Sequence, residues 1–132
     1  MEKSVVFHPY YAFAYFQMAK KFVELEKWEK AKEYIIKAIS LEKKNAIFYT
    51  LLGIVLCEQG KFEEARQNFN IAIDLDAKNQ LTHNYLAICY LKEGDEENFK
   101  KILQQKGIFE STEVQTEMIL SLESHLVKKN RL

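Results

Sequence analysis

The chain has 132 residues, enough for one domain with a continuous core, since 48% of them are hydrophobic. Nineteen Lys and Arg balance nineteen Asp and Glu, which leaves no electrostatic footprint for a nucleic acid or an anionic membrane and counts against an RNA-binding helical repeat. One Pro and four Gly leave little room for loops or linkers, and the wealth of Lys, Glu, Ile and Leu points to an all-helical chain.

At the start of the chain the apolar run Val5-Val6-Phe7 is too short for a signal-peptide core. No stretch approaches the ~20 apolar residues of a membrane span. A cytoplasmic location is expected. Cys57 and Cys89 fall on separate predicted helices and read as free thiols of a reducing compartment, not as a disulfide framework. The N-terminal segment, residues 1–11, leads into Tyr10, Tyr11, Phe13, Tyr15 and Phe16, five aromatics within seven residues. Two readings carry equal weight: Val5–Phe7 folds back and covers them, or they form a self-association patch.

Residues 12–45 and 46–79 then repeat one another without a gap. Identities fall at Ala12/Ala46, Tyr15/Tyr49, Glu24/Glu58, Lys27/Lys61, Glu29/Glu63, Ala31/Ala65, Ala38/Ala72, Ile39/Ile73, Leu41/Leu75, Lys44/Lys78 and Asn45/Asn79. A third copy, residues 80–109, begins at Gln80 and fades after Gly94. A period of this length marks stacked helical hairpins. In the first block one stripe runs Tyr15, Met18, Ala19, Phe22, Leu25 and a second runs Trp28, Ala31, Ile35, Ala38, Ile39, both at helical spacing, with Glu26-Lys27 as the turn between them. The second block repeats this with Tyr49, Leu52, Gly53, Leu56, then Gly60, then Phe62, Ala65, Phe69, Ala72, Ile73. Gly60 and Gly94 stand where a helix end favours a left-handed residue.

Small residues recur in columns: Ala19, Gly53 and Ala87; Ala31 and Ala65; Ala38 and Ala72. They let helix axes approach while large neighbours fill the gaps. In the third copy Phe99 and Lys106 replace the alanines of the last two columns, so its second helix is expected to pack by another rule and to end at Gly107. Residues 110–132 predict a last helix, capped by Ser111 or Thr112 with Gln115 at capping-box spacing, and apolar at Val114, Met118, Ile119, Leu122 and Leu126. That is the profile of a terminal unit sealing a stack, or of a docking helix.

The columns Tyr49, Leu52-Gly53, Leu56, Gly60, Phe62, Ala65, Phe69 and Ala72, closing on Leu75-Asp76, resemble the tetratricopeptide repeat pattern, although Ala77 stands where that family usually has proline. The resemblance covers residues 12–94. It implies an all-α, right-handed superhelix of about three hairpins plus a C-terminal capping helix. It also implies a concave groove lined by the first helix of each hairpin. Carried onto this sequence, the groove columns are Phe13, Phe16, Lys20, Val23 and Glu24; Ile47, Thr50, Ile54, Cys57 and Glu58; and Leu81, Asn84, Ile88, Leu91 and Lys92. Most are apolar, so something is expected to cover them. The family's carboxylate clamp for chaperone C-termini needs paired Asn and basic residues, whereas the corresponding places here hold Phe16, Lys20, Leu51, Ile54, Leu81 and Tyr85.

The expected function is therefore a non-enzymatic adaptor or chaperone module that takes an apolar or amphipathic protein segment in this groove. The alternatives are a structural subunit whose groove and apolar termini drive homo-oligomerisation, and a protein similar to bacterial type III secretion chaperones. No cofactor, metal or nucleic acid is expected. His8, His83 and His125 lie far apart with no metal-ligand spacing. His83 shares the column of Tyr15 and Tyr49 and reads as a packing residue, and Cys57 as a small apolar lining residue without a basic neighbour. Gly-rich phosphate loops and a supported Ser/His/Asp arrangement are absent. Asp74 and Asp76 read as solvated helix-end residues.

Overall fold

Residues 9–105 are described by the computed structural model, and they form three helical hairpins. The hairpins are α1 (Pro9–Glu24) with α2 (Trp28–Leu41), α3 (Ala46–Glu58) with α4 (Phe62–Leu75), and α5 (Gln80–Glu93) with α6 (Glu96–Gln105). Each helix packs on its hairpin partner, successive hairpins meet through α2 on α3 and α4 on α5, and the first helices also touch one another, α1 on α3 and α3 on α5. The fold is the expected all-α helical repeat.

Local chemistry explains why the breaks recur. Each hairpin turns through one left-handed residue: Glu26 at φ 57°, Gly60 at 80° and Gly94 at 93°. The same hydrogen-bond pair closes each turn. Glu26 N donates to Val23 O and Lys27 N to Phe22 O; Gly60 N to Cys57 O and Lys61 N to Leu56 O; Gly94 N to Leu91 O and Asp95 N to Tyr90 O. This satisfies carbonyls that the helix end leaves open. Asn45 and Asn79, identical in the repeat, prove to be N-caps: their side-chain oxygens accept from Ile47 N and Leu81 N, both at 3.0 Å.

The columns of small residues are buried as expected. Ala19, Ala31, Ala38, Ala65, Ala72 and Ala87 are fully buried. A large residue sixteen positions on completes each first-helix small residue. Ala19 belongs with Ile35, Gly53 with Phe69 and Ala87 with Leu103, all buried. The one glycine goes with the one phenylalanine, because a Cβ at Gly53 would lie 2.6–2.8 Å from the Phe69 ring. Met18 and Leu25, placed in the first packing stripe by their spacing, are instead exposed at 41% and 54%. Met18 lies on α1, which has no described hairpin before it, and Leu25 lies past the end of α1, in the turn.

Phe99 does break the alanine rule, and α6 answers with a cluster of its own. Phe99 and Leu103 are buried with Ala87 against Ile88, Tyr90, Leu91 and Ile102. Asp95 starts α6 by accepting from Asn98 N at 3.1 Å, and the Asn98 amide returns a 2.7 Å bond to its carboxylate. The fold-back of Val5–Phe7, the end at Gly107, the column of Lys106 and the helix expected over residues 110–132 lie outside the described residues.

Candidate functional site

The face built by α1, α3 and α5 carries an apolar column at the repeat spacing. Phe13, Ile47 and Leu81 are exposed at 54%, 51% and 55%. Ile47 and Leu81 are the second residues of α3 and α5, and Phe13 is the fifth of α1, so a solvated position recurs in every unit. Between the first two lies a hollow of 270 Å³, lined by Phe13, Phe16, Glu42, Asn45, Ile47 and Phe48. Its floor is aromatic: the Phe16 ring lies 5.2 Å from Phe48 and 6.4 Å from Phe13. The Lys20 ammonium stands 5.2 Å over Phe16, where a cation interacts favourably with the ring face.

The remaining groove residues are placed unevenly. Val23 and Ile54 are half-buried against the main core, and Ile88 and Leu91 against the α6 cluster. Asn84 is half-buried and its amide oxygen finds no hydrogen-bond partner. In the last column Glu24 lies 3.7 Å from Lys21 on its own helix, while the Lys92 ammonium is paired with Glu58 across the hairpin boundary.

Thr50 and Cys57 are not lining residues. They are 4% and 6% exposed. The reason is a stagger that the repeat alignment does not reveal. The period is 34 residues, yet three contacts between neighbouring first helices join residues 32 apart. Phe16 meets Phe48, Thr50 meets Thr82 at 2.8 Å, and the Cys57 thiol meets that of Cys89. Thr50 and Cys57 are therefore covered by Thr82 and Cys89, the residues two places short of their repeat equivalents. Phe48 joins the site for the same reason, Glu42 and Asn45 join it from the connection between α2 and α3, and column matching alone missed all three. The central helix α3, flanked on both sides, is buried nearly all round at Phe48, Thr50, Leu51, Leu52, Gly53, Val55, Leu56 and Cys57.

Thr50 and Thr82 form a polar seam inside this apolar face. The Thr50 hydroxyl has one hydrogen, which it gives to Ala46 O at 3.0 Å, so Thr82 donates to Thr50. His83 is a packing residue, 2% exposed, with Nε2 3.0 Å from Ala77 O. That nitrogen must donate, so it carries the ring proton, and Nδ1 is buried without a partner. Asp74 and Asp76 are exposed. Among the described residues no cluster of His, Cys, Asp and Glu can hold a metal ion, and no helix is long and apolar enough to cross a membrane.

The backbone arrangement is shared with known structures. The Arabidopsis OM64 TPR domain is 18% identical, with 92% of this chain and 98% of that one covered at a TM-score of 0.70. The second TPR domain of human RPAP3, solved with an HSP70 peptide, is 17% identical over 88% of this chain and 98% of its own, at 0.72. The type III secretion translocator chaperone SycD of Yersinia enterocolitica is 18% identical over 86% and 88%, at 0.65. At these identities the likeness is one of fold. No curated protein matches the sequence. Models of the tetratricopeptide repeat match residues 13–45 and 34–67, and a model described as TPR repeat matches residues 53–94. These matches together span residues 13–94, the stretch that carries the period, the turns and the small-residue columns, and the chain belongs to the tetratricopeptide repeat family.

Proposed function

We propose that this protein is a non-enzymatic interaction module whose groove, on the face of α1, α3 and α5, takes an apolar or amphipathic segment of another protein. The observation that carries the reading is the column Phe13, Ile47 and Leu81, each more than half exposed, beside an aromatic-floored hollow. Three such side chains at the spacing of packed helices, ~8–10 Å, suit a ligand that offers apolar residues along one edge.

Structures of similar fold hold acidic peptides: domains of RPAP3 were solved with the HSP90 peptide SRMEEVD and the HSP70 peptide SGPTIEEVD. The charge on this groove supports a different ligand. Glu58 already pairs the Lys92 ammonium, and Lys20 lies over an aromatic ring, which leaves no paired cations for a carboxylate. SycD, a translocator chaperone, gives the nearer analogy, and a chaperone holding an apolar export substrate is the narrower form of this reading. Two free cysteines fit a reducing, cytoplasmic setting. A second reading, homo-oligomerisation, is supported by the exposure of Tyr10 at 82% and Tyr11 at 59% on the outer end of α1.

Fluorescence anisotropy with labelled peptides tests the proposal. A designed amphipathic helical peptide is expected to bind, and SRMEEVD is not. Ile47→Asp and Leu81→Asp are expected to weaken binding of the first peptide at least tenfold, with the melting temperature moving by less than about 2 °C, as surface positions allow. Tight binding of SRMEEVD that ignores both substitutions overturns the proposal. A dimer by size exclusion that dissociates in the Tyr10→Asp variant favours the second reading.

A further inference from the structure

Cys57 and Cys89 are more than two core fillers. They lie on α3 and α5, the first helices of successive hairpins, at the same 32-residue offset as the Thr50–Thr82 bond. Their sulfurs are in hydrogen-bond contact. The chain of donors runs one way: Cys57 gives its hydrogen to Cys89, and Cys89 points its own at Phe62 O, 3.8 Å away. Both are free thiols. Cys57 is 6% exposed, while Cys89 is fully enclosed. We propose that this pair is a redox site, oxidised by a peroxide to an intramolecular disulfide that staples the second hairpin to the third.

The Thr50–Thr82 contact of 2.8 Å lies seven residues earlier on the same two helices, so the same register sets Cys57 opposite Cys89, the arrangement a disulfide needs first. The surroundings meet the second. The Cys57 hydrogen bond, with Arg66 and Lys92 nearby, holds the Cys89 thiol below its ordinary range, whereas that same contact together with burial pushes Cys57 up. A thiol pair that shares protons across a hydrogen bond next to cations is easier to ionise than an isolated buried thiol.

The chemistry closes without another reactant. Cys89, the thiol held below its ordinary range, gives up its proton, and its sulfur attacks one peroxide oxygen. The O–O bond breaks and hydroxide departs, taking up that proton as water. The product is a sulfenic acid at Cys89. The Cys57 sulfur then attacks the Cys89 sulfur. The S–S bond forms, the S–O bond breaks, and the second hydroxide leaves as water with the Cys57 proton. Two thiols have lost two electrons and one peroxide has gained them; a dithiol reductant reverses the exchange. The inference stands on the thiol pair alone, independently of what the groove binds.

The test treats the full chain with hydrogen peroxide. The expected product is monomeric, has lost both titratable thiols, and is lighter by two hydrogens. A non-reducing digest yields a Cys57–Cys89 cross-linked peptide, and dithiothreitol restores the starting mass. The melting temperature of the oxidised form is expected to rise by roughly 5–15 °C, because the bond closes a long loop. In Cys57→Ser the same treatment gives oxygen adducts or nothing. The digest needs no variant to fold, so it decides the question alone. Persistence of both thiols in the native protein while they react after unfolding overturns the proposal. So does mass gain by added oxygen, or a disulfide found only between chains.

Discussion

At the scale of single residues, the tightest constraint is Gly53. Any side chain there collides with the Phe69 ring, at 2.6 Å from the nearest ring atom, and that ring is fully buried with nowhere to retreat. Gly53→Ala is expected to cost about 1–3 kcal/mol in urea unfolding. The equivalent pairs Ala19 with Ile35 and Ala87 with Leu103 say what restores the fit. Gly53→Ala combined with Phe69→Leu is expected to lose less than the two single changes summed, a coupling of at least 0.5 kcal/mol. Strict additivity would mean that the collision is relieved elsewhere. Glu26 is the opposite case. It turns the first hairpin at φ 57°, in a role that its repeat equivalents give to Gly60 and Gly94. A side chain in the left-handed region costs ~1–2 kcal/mol, partly offset because glycine loses more chain entropy on folding. Glu26→Gly is therefore expected to stabilise the protein by about 0.5–1 kcal/mol, read as a higher urea midpoint at unchanged slope. A lower midpoint would show that the Glu26 side chain does something its neighbours do not reveal.

At the scale of elements, the sequence was most legible where a repeat states the same thing twice. The hairpin boundaries, the glycine turns and the buried alanines all follow from columns that recur. Two things did not follow. The caps at Asn45 and Asn79 look in the sequence like ordinary connecting residues, because the alignment shows identity without showing which backbone hydrogen an oxygen reaches. The burial of Thr50 and Cys57 depends on stagger between helices, and a period of 34 carries no information about a contact offset of 32. The third hairpin shows how local chemistry takes over where the repeat decays. Its α6 lacks the alanine columns and leans on its start. Hydrogen bonds from the Asn98 side chain and backbone hold the Asp95 carboxyl below its ordinary value. The sign follows from that direction. A depressed folded-state pKa stabilises the helix above the unfolded carboxylate's ~3.9, and the contribution disappears as pH falls through the lower folded value. Between pH 7 and 5 the gap in melting temperature between the native protein and Asp95→Asn is expected to stay constant, and below about pH 4 to close. A gap that narrows already at pH 6 would point to another titrating group.

At the scale of the whole molecule, stability in a stacked array is a sum of hairpin terms and nearest-neighbour terms, and the shared face of α1, α3 and α5 exists only while neighbouring first helices keep their stagger. The apolar contacts along this seam are forgiving, since side chains of similar volume replace one another at little cost. The Thr50–Thr82 bond is not, because it is directional and buried. The order of donors, Thr82 to Thr50 to Ala46 O, makes the two threonines unequal. Thr82→Val removes the outer donor and leaves Thr50 bonded to its own helix; it is expected to cost about 1 kcal/mol. Thr50→Val strands the Thr82 hydroxyl in the interior, and an orphaned buried donor costs roughly 1–3 kcal/mol. With both changed, no polar group is left unmatched, and replacing both partners by groups of like shape is close to neutral. The double variant is therefore expected to be more stable than Thr50→Val alone, and thermal unfolding of the four proteins measures it. If Thr50→Val proves the milder single change, the hydrogen bond runs the other way. If the double variant is the least stable of the four, the two hairpins are not joined at this seam, and the face that α1, α3 and α5 present as one groove is held together elsewhere.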